Sequence, residues 1–145
     1  MTGYVRFRLG DRGFVTALDE VREIVRFTGL EALPGTEPPL AGVIVLRGAP
    51  LPVFDVRATP DTEAESGDVL VVEAGGDSIG IVVDQVLAVL GGDDLQEGDA
   101  PAKALPPYVV GVRSDASGPV LLVDLHRLLD VTRDGWRTAV VGAQA

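Results

Sequence analysis

The sequence predicts an all-β protein: two similar five-stranded barrels packed together, with a short C-terminal helix. Three observations lead there. Short runs rich in Val and Ile alternate with Gly, Pro and Asp, the punctuation of strands and tight turns rather than of helices. Three segments recur in the same order at nearly constant spacing. Only the end of the chain changes period, with Leu125, Leu128 and Leu129 spaced for one face of a helix.

In chain order, strands are expected near Val5 to Leu9, Phe14 to Ala17, Val21 to Phe27, Val43 to Leu46 and Leu51 to Val56. A second set is expected near Val69 to Glu73, Ile79 to Val83, Val86 to Leu90, Val109 to Val112 and Val120 to Leu125. "GDRG" (10–13) and "GGDS" (75–78) supply the positive-φ residues that tight hairpins need. Asp124 stands where a helix N-cap belongs.

The recurrence is in register. "FVTALDEVREIV" (14–25) lies over "IGIVVDQVLAVL" (79–90) at an offset of 65, which sets Asp19 on Asp84 and Val21 on Val86. "PPLAGVIV" (38–45) matches "PPYVVGVR" (106–113) with a one-residue shift, and "LPVFDV" (51–56) matches "VLLVDL" (120–125) at an offset of 69. The chain is therefore read as one domain, 1–145, with approximate internal repeats 4–57 and 68–130. Five short strands suit a small barrel, which leaves no open sheet edge. A unit of about 65–70 residues is marginal alone, so the two barrels are expected to bury apolar surface between them. The seam between them is a groove, a favoured place for a partner.

Composition narrows the function. Hydrophobic residues make up 46% of the 145, enough for a core, while aromatics are only 5%. The formal charge is -10, from 12 Lys and Arg against 22 Asp and Glu, and a surface that acidic repels phosphate backbones. No nucleic acid partner is expected. The acidic residues cluster at Asp61, Glu63, Glu65 and Asp68 and again at Asp93, Asp94, Glu97 and Asp99, both read as solvated loops. There is no cysteine, which fits a reducing compartment. "MTGYVRFRLG" lacks the form of a signal peptide and no apolar run reaches spanning length, so a cytoplasmic protein without direct membrane insertion is expected.

Chemistry is hard to find. His126 is the only histidine and shows no metal-site or triad partner in its neighbourhood, so no metal and no cofactor are expected. "GGDSIG" (75–80) lacks the Lys-Ser/Thr of a phosphate-binding loop. Asp55, Asp84 and Asp124 each follow an apolar run, and an Asp55/Asp84 pair would serve a small carboxylate-dependent hydrolase. Their repeat-related places favour a structural task, tying turns through backbone N–H groups. No catalytic residue is assigned.

Arg47 stands apart. It sits in "GVIVLRGAPLPVFDVR" (42–57), fenced by Gly48 and Pro50, and the matching stretch "VRSDASG" does not repeat it. Two readings stay open: an internal ion pair with Glu20, Glu23 or Asp55, or an exposed fork of N–H donors aimed at a partner's carboxylate.

"VREIVR" (21–26), "LPG" (33–35), "GVIVLRGAPLPVFDVR" (42–57) and "IGIVVDQVLAVL" (79–90), followed by "VVGV" (109–112) and "VLLVDLHRLL" (120–129), resemble the CheW-like domain of bacterial chemotaxis coupling proteins. The resemblance covers nearly the whole chain and implies Src-homology-3-like barrels and an adaptor that performs no catalysis. Its implied partners are the regulatory domain of a CheA-type histidine kinase and the cytoplasmic tip of transmembrane chemoreceptors, which would recruit it to the inner face of the membrane. Receptor contact is implied for Val21, Glu23, Gly42 and Arg47; kinase contact is not assigned to residues. The chain holds little beyond this domain, so a stand-alone adaptor is expected. An alternative keeps the fold but serves another kinase circuit, such as surface motility. Three features depart from the family's usual pattern: Val45 where Asn is common, the short acidic "ATPDTEAESG" (58–67), and the acidic "GGDD" (91–94).

Overall fold

A computed structural model describes residues 3–27, 40–56, 67–98 and 105–130. The strands are β1 (Tyr4–Leu9), β2 (Arg12–Ala17), β3 (Glu23–Phe27), β4 (Leu40–Leu46), β5 (Ala49–Asp55), β6 (Gly67–Ala74), β7 (Asp77–Val83), β8 (Gln85–Leu90), β9 (Gln96–Glu97), β10 (Val109–Asp115) and β11 (Gly118–Val123). One short helix, α1, covers 125–130. Each of the ten expected strands is present; β9, two residues long, is too short to leave a pattern.

The strands form two sheets, ordered β8-β1-β2-β11-β10-β9 and β3-β6-β7-β5-β4. Neighbours are antiparallel except for one parallel pair in each sheet, β2 with β11 and β5 with β7. The expectation that each half of the chain closes its own barrel is corrected. The hairpin β1–β2 pairs with β8 and β11 of the second half, and β6–β7 pairs with β3 and β5 of the first. Each half thus lends its opening hairpin to the other. Periodicity along the chain carries no record of this, because it reports which face is buried and not which strand lies alongside.

The exchange explains why the middle of β6 and the end of β7 read as unbroken apolar runs: they are buried on both faces. Along β6, Val69 and Val71 point into a core with Ile44, Leu51, Val53 and Val82. Leu70 and Val72 point the other way, into a central core shared by both sheets with Val5, Phe7, Ile81 and Val83. A third cluster, Tyr4, Val15, Leu95 and Val120, fills the six-stranded sheet. Phe7 and Phe14 stack in the central core with ring centroids 5.9 Å apart.

Helix α1 closes this seam. Asp124 caps it by accepting the Arg127 N–H at 3.1 Å, so β11 stops at Val123 rather than at Leu125. Leu125 and Leu128 enter the central core. A 3-10 turn, Leu18–Glu20, carries the chain from one sheet to the other, and β3 therefore begins at Glu23 rather than at Val21.

Asp68 is also corrected. It was expected in a solvated acidic loop, but it is only 6% exposed at the start of β6. Its Oδ2 accepts the Val86 N–H at 2.6 Å and its Oδ1 the Arg26 Nε–H at 3.3 Å, which supplies the partners a buried carboxylate needs. The acidic linker before Gly67, from 57 to 66, and the segment holding Trp136 lie outside the described residues.

Candidate functional site

Arg47 and Gly48 form the two-residue turn between β4 and β5, with Leu46 paired to Ala49. Their φ values, 50° and 80°, match a type I′ hairpin, whose twist suits the flanking strands. Arg47 is the sole non-glycine at positive φ among the described residues. A side chain there costs conformational energy, so its presence directs attention to what the guanidinium does.

The guanidinium grips Glu23. Nη1 donates to Oε1 at 2.6 Å and Nη2 to Oε2 at 2.5 Å, a parallel fork. Glu23 begins β3 and Arg47 directly follows β4, the two outer strands of the five-stranded sheet. Their contact therefore spans the gap between the sheet's two edges, as a barrel requires. The hydrogen bond from Arg47 holds the Glu23 carboxyl below the usual glutamate range, and Glu23 in turn raises Arg47. Yet Arg47 stays 71% exposed. The two open readings are thus compatible: Glu23 uses one edge of the guanidinium and the rest faces solvent.

The other two implied residues act through the backbone and core. Gly42 is buried at φ 148°, where β4 bulges between Leu40 and Gly42 against β5. The bulge sets the register that brings Arg47 to the hairpin tip. Val21 is half-buried against the central core, two residues before Glu23. The structure thus brings Glu23 and Arg47 into contact, and sets Val21 and Gly42 on the segments leading to them.

Beside Arg47 lies a cleft of about 810 Å³, lined by Leu46, Pro50, Pro52, Phe54, Leu129 and Asp130 among others. Its lining is mostly apolar and also carries Arg47, Asp77, His126 and Asp130, a mixture suited to an amphipathic helix. Sequence reasoning missed two neighbours. Val45 is 66% exposed and Ile24 is also exposed, each beside or near one member of the ion pair. Their apolar character is visible in the sequence, but their outward direction depends on which face the sheet buries.

A family model for the CheW-like domain matches residues 3–133. The chain belongs to the CheW-like domain family. Among curated CheW-like proteins, the chemotaxis protein CheW of Klebsiella aerogenes is 29% identical over 133 residues, covering 87% of this chain and 80% of that one. Protein PilI of Pseudomonas aeruginosa is 33% identical over 115 residues, covering 74% and 65%. The chemotaxis protein CheW of Rhizobium meliloti is 33% identical over 90 residues, covering 59% and 58%. The chain thus spans under two thirds of the latter two relatives. The crystal structure of the scaffolding protein TtCheW from Thermoanaerobacter tengcongensis matches with a TM-score of 0.66 at 21% identity, covering 88% of this chain and 91% of that one, a likeness of fold.

Two of the three aspartates singled out in the sequence, Asp84 and Asp124, have structural tasks in this CheW-like domain. Asp84 Oδ2 accepts the Gly10 N–H at 2.7 Å and pins the β1–β2 turn, and Asp124 caps α1. No helix among the described residues is long and apolar enough to cross a membrane.

Proposed function

We propose that this protein is a chemotaxis adaptor that couples transmembrane chemoreceptors to a CheA-type histidine kinase and performs no catalysis itself. The observation that carries the reading is the exposed Arg47 guanidinium, held by Glu23 at the mouth of an apolar cleft in a CheW-like domain. The helical tip of a receptor lays an apolar face in the cleft, and Arg47 gives it a directional bond to a carboxylate. Val21, Glu23 and Gly42 complete the receptor surface, Gly42 by setting the height of the hairpin. Coupling also needs a second surface that can be filled at the same time. Exposed Leu87 and Val89 on β8, in the other sheet, suit the kinase regulatory domain. The adaptor works in the cytoplasm and reaches the inner face of the membrane through its receptors. Repeated contacts in an array raise avidity by ~10²–10⁴-fold.

The test is a charge exchange. Arg47→Glu alone sets two carboxylates face to face; Glu23→Arg with Arg47→Glu restores the pair in reverse. In a pull-down against a receptor tip and against the kinase regulatory domain, the double variant is expected to melt like wild type, keep the kinase and lose the receptor. Receptor binding retained by the double variant would show that Arg47 only closes the barrel. A second reading, the same adaptor in another kinase circuit such as surface motility, is kept by the likeness to Protein PilI. Binding to that circuit's kinase and not to a chemotaxis kinase would favour it.

A further inference from the structure

At the edge of the Arg47 cleft, which His126 also lines, the fold gathers three metal-ligating side chains that the sequence keeps far apart. Glu20 ends the 3-10 turn, Asp124 follows β11 and His126 lies in the first turn of α1. Their ligand atoms all lie within 4.8 Å of one another, and each residue is half-buried.

What each group already does leaves it an acceptor atom to spare. His126 Nε2 stands 2.7 Å from the Glu73 carbonyl oxygen, which accepts only; the ring therefore carries its proton there and leaves Nδ1 with the lone pair. Asp124 gives Oδ1 to the Arg127 N–H and keeps Oδ2. Thr16, fully buried, has one hydroxyl proton and two acceptors: Val123 O at 2.9 Å and Glu20 Oε2 at 3.3 Å. The shorter bond takes the proton, so Glu20 gains little from it. No ion pair joins Glu20 or Asp124 to a basic side chain among the described residues. Two carboxylates and an imidazole thus converge with no ion pair to an Arg or Lys among the described residues, an arrangement that a cation relieves.

We propose that Glu20, Asp124 and His126 form a binding site for a divalent transition-metal ion of the zinc class. Nitrogen with carboxylate oxygen suits such an ion, whereas calcium and magnesium favour oxygen alone. Zinc lies about 2.0–2.2 Å from its N and O ligands, so the three side chains close on it by small rotations, and water fills the remaining position. The hydrogen bond from His126 to the Glu73 carbonyl is the kind that fixes a metal-bound imidazole in its tautomer and orientation. Glu73 belongs to β6 of the five-stranded sheet, while Asp124 follows β11 of the six-stranded one. The ion would therefore brace α1 and the 3-10 turn across both sheets. The titration below uses the protein without a partner, so its outcome does not depend on what fills the cleft beside His126.

The test is titration of the chelator-stripped full chain with zinc chloride, read by calorimetry and thermal melting. One equivalent is expected to bind, and at about 100-fold above Kd the Tm is expected to rise by roughly 5–10 °C. His126→Ala is expected to abolish the effect. Glu20→Gln and Asp124→Asn keep shape and, for Asn, the helix cap; each is expected to weaken binding at least ~10-fold. These two variants decide the question if His126→Ala does not fold. Absence of one-to-one binding, wild-type affinity in both conservative variants, or an equal response to magnesium or calcium chloride would overturn the proposal.

Discussion

Gly80 of β7 is the place where one added methyl should hurt most. It pairs with Val71 on one side and Val53 on the other, in the middle of the five-stranded sheet. A Cβ built there meets Val69 Cγ1 at 2.6 Å, Val53 Cγ1 at 2.8 Å and Leu51 Cδ2 at 3.3 Å. Carbon atoms sit comfortably at about 3.5–4.0 Å, so the first two overlaps approach 1 Å. Val69 and Val53 are fully buried and their χ1 angles are stiff, so neither can swing away. Overpacking of this kind costs about 1–3 kcal/mol, and two rigid clashes put Gly80→Ala near the upper end. At about 3 °C per kcal/mol for a chain of this size, Tm should fall by roughly 6–9 °C. Scanning calorimetry reads it directly. Gly13→Ala, where a Cβ meets nothing within 4 Å, should melt within about 2 °C of wild type. Adding Val69→Ala to Gly80→Ala should cost less than the sum of the single changes, because the second truncation makes room for the first. Gly80→Ala melting with the wild type would refute the packing described for this sheet.

Asp68→Ala leaves the Val86 N–H without its acceptor and should lower the denaturant-derived stability by about 1–3 kcal/mol, while Arg26→Ala, at the exposed end of the same pair, should cost much less. Acidification should weaken the fold through Glu23, whose carboxyl is depressed by its bond from Arg47, and through Asp115, depressed first by the Ser117 N–H and then by Arg6. A depressed folded-state value gives stability that is present above the unfolded value and lost as pH falls through the folded one. Tm should therefore drop below about pH 4, and Arg47→Ala should make that drop shallower in melts taken across pH 7 to 2. Because each half completes its sheet with the other's hairpin, residues 1–62 and 63–145 made separately should each lack a cooperative melt, whereas co-expression should restore one that gel filtration finds as a single complex.

The elements were more legible than their arrangement. Alternating Val and Ile with Gly-Asp and Gly-Gly turns marks the strands, because turn chemistry and side-chain alternation act over a few residues. The exchange of hairpins leaves no such mark: Phe14 pairs with Leu121, far along the chain, and nothing local in "GFVTA" names that neighbour. Asp68 misleads because a carboxylate just before an apolar run looks like the end of a loop, and its rescue by the Val86 N–H and Arg26 is a tertiary fact. Arg47 was half legible. Its place before a glycine and its absence from the second half single it out, but only the closed sheet brings Glu23, rather than Glu20 or Asp55, to its guanidinium. The convergence of Glu20 and Asp124 on His126 was not legible at all, since two folded segments from opposite ends of the chain create it.

The shared hairpins bear on how the protein is born at the ribosome. Thr16 reaches its carbonyl partner on Val123 only after 107 further residues exist, and synthesis at about 5–20 residues per second makes that wait last roughly 5–20 s. Until β7 is made, ending at Val83, Val5 and Phe7 have no second sheet to cover them. The nascent chain must be shielded or diluted during translation, and the last of the described strands, β11, is the one that completes the pairing of β2.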